Sequence, residues 1–209
     1  MMHITRTPRV FSATVATLVL AGCGSAAPAA SSVSGTTAPV SSPSPTPGVC
    51  ANPDVSPTTS AVTSLALTVD QLPPSSVVLT QISDGKMNNT PNTDQRGFAN
   101  STNTFRIEDD VVIDASTQTA TTDYPQLRAA AQSQVTTLAG SSSPVGLGCQ
   151  ADEYIGTTST GYSEIGISFQ EGDIISVLLI VDSTGKVDAA YALAVARAQD
   201  QKIVAAANG

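Results

Sequence analysis

The stretch YSEIGISFQEGDIISVLLIV, residues 162–181, decides the fold of this chain. From Ile165 to Phe169 apolar residues alternate with polar or small ones, the period-two pattern of a strand with one buried face. From Ile174 to Val181 the chain is almost continuously apolar, which is typical of a deeply buried strand. Glu171-Gly172-Asp173 between them predicts a tight hairpin turn. We therefore expect an antiparallel hairpin whose second strand is the central strand of a sheet.

Two helices are predicted to pack on this sheet. The last one covers residues 189–206, with Asp188 as its N-cap. The other covers residues 124–139, because Asp123 is a suitable N-cap and Pro125 suits the first helical turn. Helices that are segregated from antiparallel strands indicate an α+β domain.

The remaining elements are predicted from β-branched runs and from proline. They are a short helix over 65–72, and strands over 77–82, 105–107, 111–113 and 153–157. The strands over 105–107 and 111–113 are separated by three acidic residues, 108–110. Residues 83–103 are rich in Asp, Gly, Asn, Thr and Pro, so they predict a long polar loop. With Arg96 and Phe98 this loop is the best candidate for contacting a partner, although a plain surface loop is the simpler interpretation.

The second half of the chain carries a family resemblance in four successive motifs. They are CQADE (149–153), SFQEGD (168–173), the apolar strand (174–181) and ALAVARAQDQKI (192–203). Their order resembles that of small lipoproteins and sensor-type extracellular domains of actinobacteria, including those similar to mycobacterial receptor-kinase sensor domains. The chain departs from the family at Ala151, where Gly is usual, and at Gln170, where Arg is usual. The resemblance implies an antiparallel sheet packed by helices and extracytoplasmic sensing or ligand binding, and it transfers no catalytic residue.

The N-terminal segment has the layout of a secretory signal. Arg6 and Arg9 precede an apolar stretch, residues 10–20, that is too short to span a bilayer. Leu20-Ala21-Gly22-Cys23 resembles the lipobox of bacterial lipoproteins, in which the cysteine receives diacylglycerol before the signal is removed. We therefore expect cleavage before Cys23 and lipid anchoring on the outer face of the cell membrane, in preference to an ordinary signal peptide with a chance cysteine.

Three regions follow from this interpretation: a signal peptide (1–22), a lipidated, disordered Ser/Thr/Pro/Ala tether (23–49) and one extracytoplasmic domain (50–209). Cys50 and Cys149 remain once Cys23 carries lipid. An exported chain meets an oxidising compartment, so we expect a Cys50–Cys149 disulfide in preference to a reactive thiol pair.

Composition excludes several classes of function. Removal of residues 1–22 takes away Arg6, Arg9 and the only histidine, His3, and changes the formal net charge from −8 to −10. An acidic surface argues against nucleic acid as a partner. Without histidine, the mature chain cannot form a Ser-His-Asp arrangement or a His-ligated metal site. We expect no cofactor and no metal.

Two groups of carboxylates are candidate sites, one for calcium and one for glycoside hydrolysis. Glu108-Asp109-Asp110 with Asp114 is compatible with calcium, but the spacing matches no EF-hand loop, so a solvated acidic turn is favoured. Asp152-Glu153 and Glu171 with Asp173 are the candidates for a glycosidase-like pair, which requires two carboxyl groups that face each other.

The leading hypothesis is a non-enzymatic ligand-binding or sensor module of the cell envelope, anchored through Cys23. A small hydrophobic ligand or an envelope protein would be its partner. The alternatives are a carboxylate-dependent hydrolase acting on cell-wall material, and a structural or assembly partner of an envelope complex.

Overall fold

A computed structural model describes residues 65–85, 92–144 and 146–208, and these form one antiparallel sheet with two helices. The elements in chain order are β1 (Thr80–Gly85), β2 (Thr93–Ala99), β3 (Phe105–Ile113), α1 (Thr117–Gln132), β4 (Val135–Ser142), β5 (Gln150–Thr158), β6 (Ser163–Glu171), β7 (Ile174–Asp182) and α2 (Ala189–Asn208). The seven strands lie side by side in the order β1-β2-β3-β7-β6-β5-β4. This confirms the α+β class and the two main helices.

The predicted hairpin is formed by β6 and β7, which pair from Ser163 with Asp182 to Glu171 with Ile174. Gly172 in the turn has a φ of 60°, a backbone conformation that favours glycine. Nearly all residues of both strands are buried. β7 is the fourth of the seven strands, so the prediction of a central strand is confirmed.

Each face of the sheet is covered by one helix. Successive side chains of a strand point to opposite faces, so the central strands contribute side chains to both helix contacts. On the α2 face, Phe169 and Leu178 pack in one buried cluster with Val195 of the helix. On the α1 face, Val177 and Leu179 of β7 pack in a second cluster with residues of α1. The two clusters together hold the helices against the central hairpin.

The start of α2 is as predicted. The Asp188 carboxylate accepts hydrogen bonds from the backbone N–H groups of Ala190 at 2.9 Å and Tyr191 at 3.3 Å, which caps the first turn. The helix continues to Asn208. Neither α1 nor α2, the two α-helices of the described residues, has the length and apolar character that a membrane span requires.

The prediction for α1 was wrong at both ends. The helix begins at Thr117, where Ser116 accepts a hydrogen bond from the Thr119 N–H at 3.2 Å, and Pro125 lies inside it. The threonine-rich first turns have no apolar periodicity, so the sequence signal was weak there. The segment from Val135, predicted as the end of the helix, is instead β4, in keeping with its β-branched residues.

The prediction of a polar loop over 83–103 was also wrong. β2 occupies residues 93–99, and six of its seven residues are buried. The two short strands before residue 114 are one continuous strand, β3. Glu108-Asp109-Asp110 is therefore not a solvated turn. Sequence patterns missed β2 and the continuity of β3 because buried positions in both strands hold charged residues, whose partners come from distant parts of the chain.

The helix predicted over 65–72 is reduced to a 3-10 turn, Val69–Gln71, which follows a buried segment, residues 65–67. The strand predicted over 77–82 begins at Thr80 instead. The Ser75 hydroxyl lies 2.7 Å from the Val77 carbonyl oxygen and 3.0 Å from the Val77 nitrogen, a local turn that delays the strand.

Candidate functional site

A pocket of about 210 Å³ lies where α1 meets the end of the sheet formed by β4 and β5. We call it the α1–β5 pocket. Its walls are Arg128 and Gln132 from α1, Ser141–Ser143 at the end of β4, and Asp152–Tyr154 of β5. It is open to solvent and lined mainly by polar groups, so it suits a small polar ligand or one end of a longer one.

Asp152 is held on two sides. One nitrogen of the Arg128 guanidinium lies 3.0 Å from a carboxylate oxygen of Asp152, and the Tyr124 hydroxyl lies 3.0 Å from the same oxygen. That hydroxyl is also 2.9 Å from the carbonyl oxygen of Ser168, so one proton serves two acceptors. Burial raises the pKa of Tyr124, and the Asp152 charge raises it further, so the phenol stays a donor.

Glu153 has a separate partner. The Ser142 hydroxyl donates a hydrogen bond of 2.7 Å to its carboxylate, across the β4–β5 pair. Because Asp152 and Glu153 are consecutive in a strand, their side chains leave opposite faces, and the pocket wraps around the end of the sheet. Its two carboxylates and one guanidinium give it a formal charge of −1.

The structure does not bring the two predicted carboxylate groups together. Asp152 is in register with Ser168 of β6, three positions from Glu171, so Asp152 and Glu171 lie on opposite faces. Asp173, in the β6–β7 turn, is buried. Neither Glu171 nor Asp173 lines the α1–β5 pocket.

A second polar group lies on the α2 face and holds the segment before β1. The Arg96 guanidinium donates hydrogen bonds to the carbonyl oxygens of Ala66 at 3.0 Å and Leu67 at 3.1 Å. The Asp109 carboxylate accepts from the Leu67 N–H at 2.7 Å, and Asp94 accepts from the Ala66 N–H at 3.3 Å. These contacts satisfy main-chain groups that are removed from water.

Helix α2 completes this arrangement from the other side of the segment. The Gln199 side chain donates to the Leu65 carbonyl oxygen at 2.8 Å. The Lys202 ammonium donates to the carbonyl oxygen of Ala66 at 2.7 Å and to the Gln71 side chain at 2.8 Å. We call Asp94, Arg96, Asp109, Gln199 and Lys202 together the backbone clamp. Its contacts are internal, so it fixes the entry of the chain into the domain.

This corrects the predicted role of Arg96 and Phe98. Arg96 is 8% exposed and Phe98 is fully buried, so neither side chain is presented to a partner. The guanidinium also lies 3.8 Å from Asp94 and 3.6 Å from the exposed Asp84. Both residues belong to the interior of the α2 face.

The acidic group on β3 is divided between the two faces. Burial raises the pKa of Asp109, on the α2 face, to about 7. Burial and the neighbouring Glu108 charge raise the pKa of Asp110, on the α1 face, to about 7 as well. Burial and the Asp123 charge raise the pKa of Asp114 to about 6. Among the described residues no cluster of carboxylate, cysteine or histidine side chains has an arrangement that can hold a metal ion.

A pocket of about 120 Å³ lies between α2 and the segment before β1, lined by Val69, Leu72 and Tyr191 among others. Pockets for small molecules usually measure about 300–1,000 Å³. This one is too small for a lipid. The α1–β5 pocket is also below this range but is the larger of the two, so it is the better candidate for one group of a longer ligand.

The predicted cysteine roles fall largely outside the described residues, because both Cys23 and Cys50 lie there. Cys149 is described just before β5, where its N–H donates to the Gln170 carbonyl oxygen at 2.8 Å. Lipidation, the tether and the Cys50–Cys149 disulfide therefore stay predictions.

The sequence singled out Asp152 and Glu153 but missed Tyr124, Arg128 and Ser142. Tyr124 and Arg128 are four residues apart and therefore share one face of α1, which is the only sequence signal that pointed to them. Their approach to β5 depends on how α1 packs on the sheet, and the position predicted for α1 was wrong.

No family model, no curated protein and no solved structure matches this chain. The class of protein is therefore defined by the fold alone, an antiparallel α+β domain with one helix on each face of its sheet. The resemblance to actinobacterial lipoproteins and sensor domains stays a prediction.

Proposed function

We propose that this chain is a lipoprotein anchored through Cys23 on the outer face of the cell membrane, and that its α+β domain is a non-enzymatic binding module of the cell envelope. Its ligand contacts the α1–β5 pocket. The observation that carries this proposal is the pocket itself, in which each carboxylate already has a hydrogen-bonding or ionic partner.

The charge of the pocket favours a cationic ligand group. Asp152 and Glu153 outnumber Arg128, and the whole chain has a formal net charge of −8. A field of this sign attracts cations and repels anions. The small volume suits a primary amine or a guanidinium group at the end of a longer, polar ligand.

Binding is favoured over hydrolysis by the arrangement of the carboxyl groups. A glycosidase-like mechanism needs two carboxyl groups that flank one bond. Asp152 and Glu153 leave opposite faces of β5, and neither Glu171 nor Asp173 lines the pocket. Asp152 is instead paired with Arg128, an arrangement that orients a ligand group.

The anchoring part is tested by Cys23→Ala. The unchanged chain is expected in the membrane fraction with covalently bound lipid, detected by metabolic labelling with an alkyne fatty acid. The variant is expected to lose the label and to accumulate as an uncleaved precursor. Normal processing and labelling of Cys23→Ala would contradict the anchoring.

The binding part is tested with Nα-acetyl-lysine amide as the probe and saturation-transfer NMR on the full chain. We expect weak binding that Glu153→Gln reduces, since the change removes one negative charge and keeps an acceptor for Ser142. Asp84→Asn, on the exposed strand β1, is the matched control and should leave the signal unchanged. Release of soluble fragments from cell-wall material, abolished by Asp152→Asn, would overturn the non-enzymatic assignment.

A further inference from the structure

The two edges of the sheet in the described residues differ in charge. β1 carries Asp84, whereas the eight residues of β4 contain no charged residue and no proline. Six of these eight residues are exposed. Charged residues and proline are the usual means by which proteins keep an edge strand from pairing with another chain. β4 therefore presents an edge that these devices do not protect.

Two irregularities limit how long a partner strand on β4 can be. The β4–β5 register shifts between Val135 and Thr137 and again between Leu138 and Gly140, so the strand is bulged twice. From Gly140 to Ser142 the pairing with β5 is regular. Bulges twist an edge and interrupt its hydrogen-bonding ladder. Such an edge suits a short added strand better than the full-length pairing of two β4 strands.

The regular part of β4 leads directly into the α1–β5 pocket, because Ser141 and Ser142 belong to both. An extended peptide that pairs with this part of the edge would place alternate side chains towards the pocket. Main-chain hydrogen bonds then supply affinity and the pocket supplies specificity, as in other cases of strand addition. The negative charge of Asp152 and Glu153 selects a cationic side chain at that position.

We infer that the β4 edge binds an extended peptide segment by strand addition, with a lysine or arginine side chain of that peptide in the α1–β5 pocket. This inference rests on the proposed function, because it uses the same pocket. It adds the class of ligand, a short cationic peptide, and the main-chain mode of binding.

The test is fluorescence anisotropy of the full chain with a labelled heptapeptide, acetyl-Thr-Val-Thr-Lys-Thr-Val-Thr-amide. Two analogues are the controls: one has N-methyl groups on alternate amides and therefore lacks those donors, and the other has glutamate in place of lysine. We expect both analogues to bind at least about tenfold more weakly. Equal binding of the N-methylated analogue, or no binding of the lysine peptide up to about 1 mM, would overturn strand addition.

Two protein variants locate the edge. Leu138→Lys puts a cation on β4, where the side chain is 49% exposed, and should weaken binding of the lysine peptide about tenfold. Ile82→Lys makes the same change on β1, where the side chain is 56% exposed, and should have no effect. Equal weakening by both variants would refute the choice of edge. A dimer of the full chain that Leu138→Lys makes monomeric would assign the edge to a second copy instead.

The outcomes also separate this inference from the proposed function. If Nα-acetyl-lysine amide binds but N-methylation does not change the affinity of the heptapeptide, ligand binding in the pocket is supported and strand addition is refuted. If neither probe binds, both the proposed ligand site and strand addition are refuted.

Discussion

Asp109→Asn should change how the stability of this protein depends on pH. Asp109 is fully buried on the α2 face, where its carboxylate accepts a hydrogen bond of 2.7 Å from the Leu67 N–H. Burial raises its pKa from 3.8 to about 7, while the Leu67 hydrogen bond acts in the opposite direction. Because the folded chain holds this proton more tightly than the unfolded chain, the stabilisation is complete below about pH 4. It is lost as the pH rises to about 7.

The size of the effect follows from the two pKa values. Each pKa unit corresponds to about 1.4 kcal/mol. Between about pH 5 and pH 8, Asp109 alone should lower the free energy of unfolding by about 2–3 kcal/mol. An asparagine side chain has no proton to lose in this range, so the Asp109→Asn variant should show a pH-dependent loss smaller by this amount. Asp110 and Asp94, whose pKa values burial also raises, should keep part of the dependence in the variant.

The assay is urea unfolding of the full chain followed by far-ultraviolet circular dichroism at pH 5 and pH 8. Asp70→Asn is the matched control, because Asp70 is exposed and the Thr68 hydrogen bond lowers its pKa, so it is ionised throughout this range. The same loss of stability from pH 5 to pH 8 in Asp109→Asn as in the unchanged chain would refute a raised pKa at Asp109.

Three further changes test the core, the pocket and the disulfide. Phe169→Ala should lower the free energy of unfolding by about 3–5 kcal/mol in urea titrations, because Phe169 is fully buried, and an effect below about 1 kcal/mol would contradict its place in the core. Tyr124→Phe should cost about 1–2 kcal/mol in the same assay through loss of its hydrogen bonds, and no measurable loss would argue against them. The exported chain should show no thiol to a thiol reagent in denaturant. Cys149→Ser should then expose one thiol, on Cys50, and cost about 4–5 kcal/mol, whereas two reactive thiols in the unchanged chain would rule out the bridge.

The elements predicted correctly are those whose patterns depend on their own residues. The β6–β7 hairpin follows from the alternation up to Phe169, the turn at Gly172 and the apolar run from Ile174. Asp188 marks the start of α2 because an N-cap acts within a few residues. In both cases the local preference and the burial of the element agree.

The elements that were missed depend on distant partners. β2 buries Asp94 and Arg96, which is stable only because the main chain of Ala66 and Leu67 satisfies them. Those partners lie about 30 residues away in sequence, so the polar residues around position 95 on their own predicted a loop. Pro125 similarly suggested a helix start, although the helix accommodates it in its interior.

The candidate site was only partly visible in the sequence. Asp152 and Glu153 were named as carboxylates of interest, but Arg128 and Ser142, their partners, lie on α1 and β4. The helix predicted over 124–139 covers the second half of α1 and the first part of β4, and Ser142 lies just beyond it. The pocket exists because that stretch divides into a helix and an edge strand, and no local pattern placed that division.

Binding of a cationic group in the α1–β5 pocket is the basis of the proposed function. It is tested most directly by two-dimensional ¹H–¹⁵N NMR of the labelled full chain during titration with Nα-acetyl-lysine amide. We expect saturable shifts of the backbone signals of Ser142, Asp152 and Glu153, and weaker shifts of these signals in Glu153→Gln. Shifts that leave these three residues unchanged, or that are the same in Glu153→Gln, would contradict it.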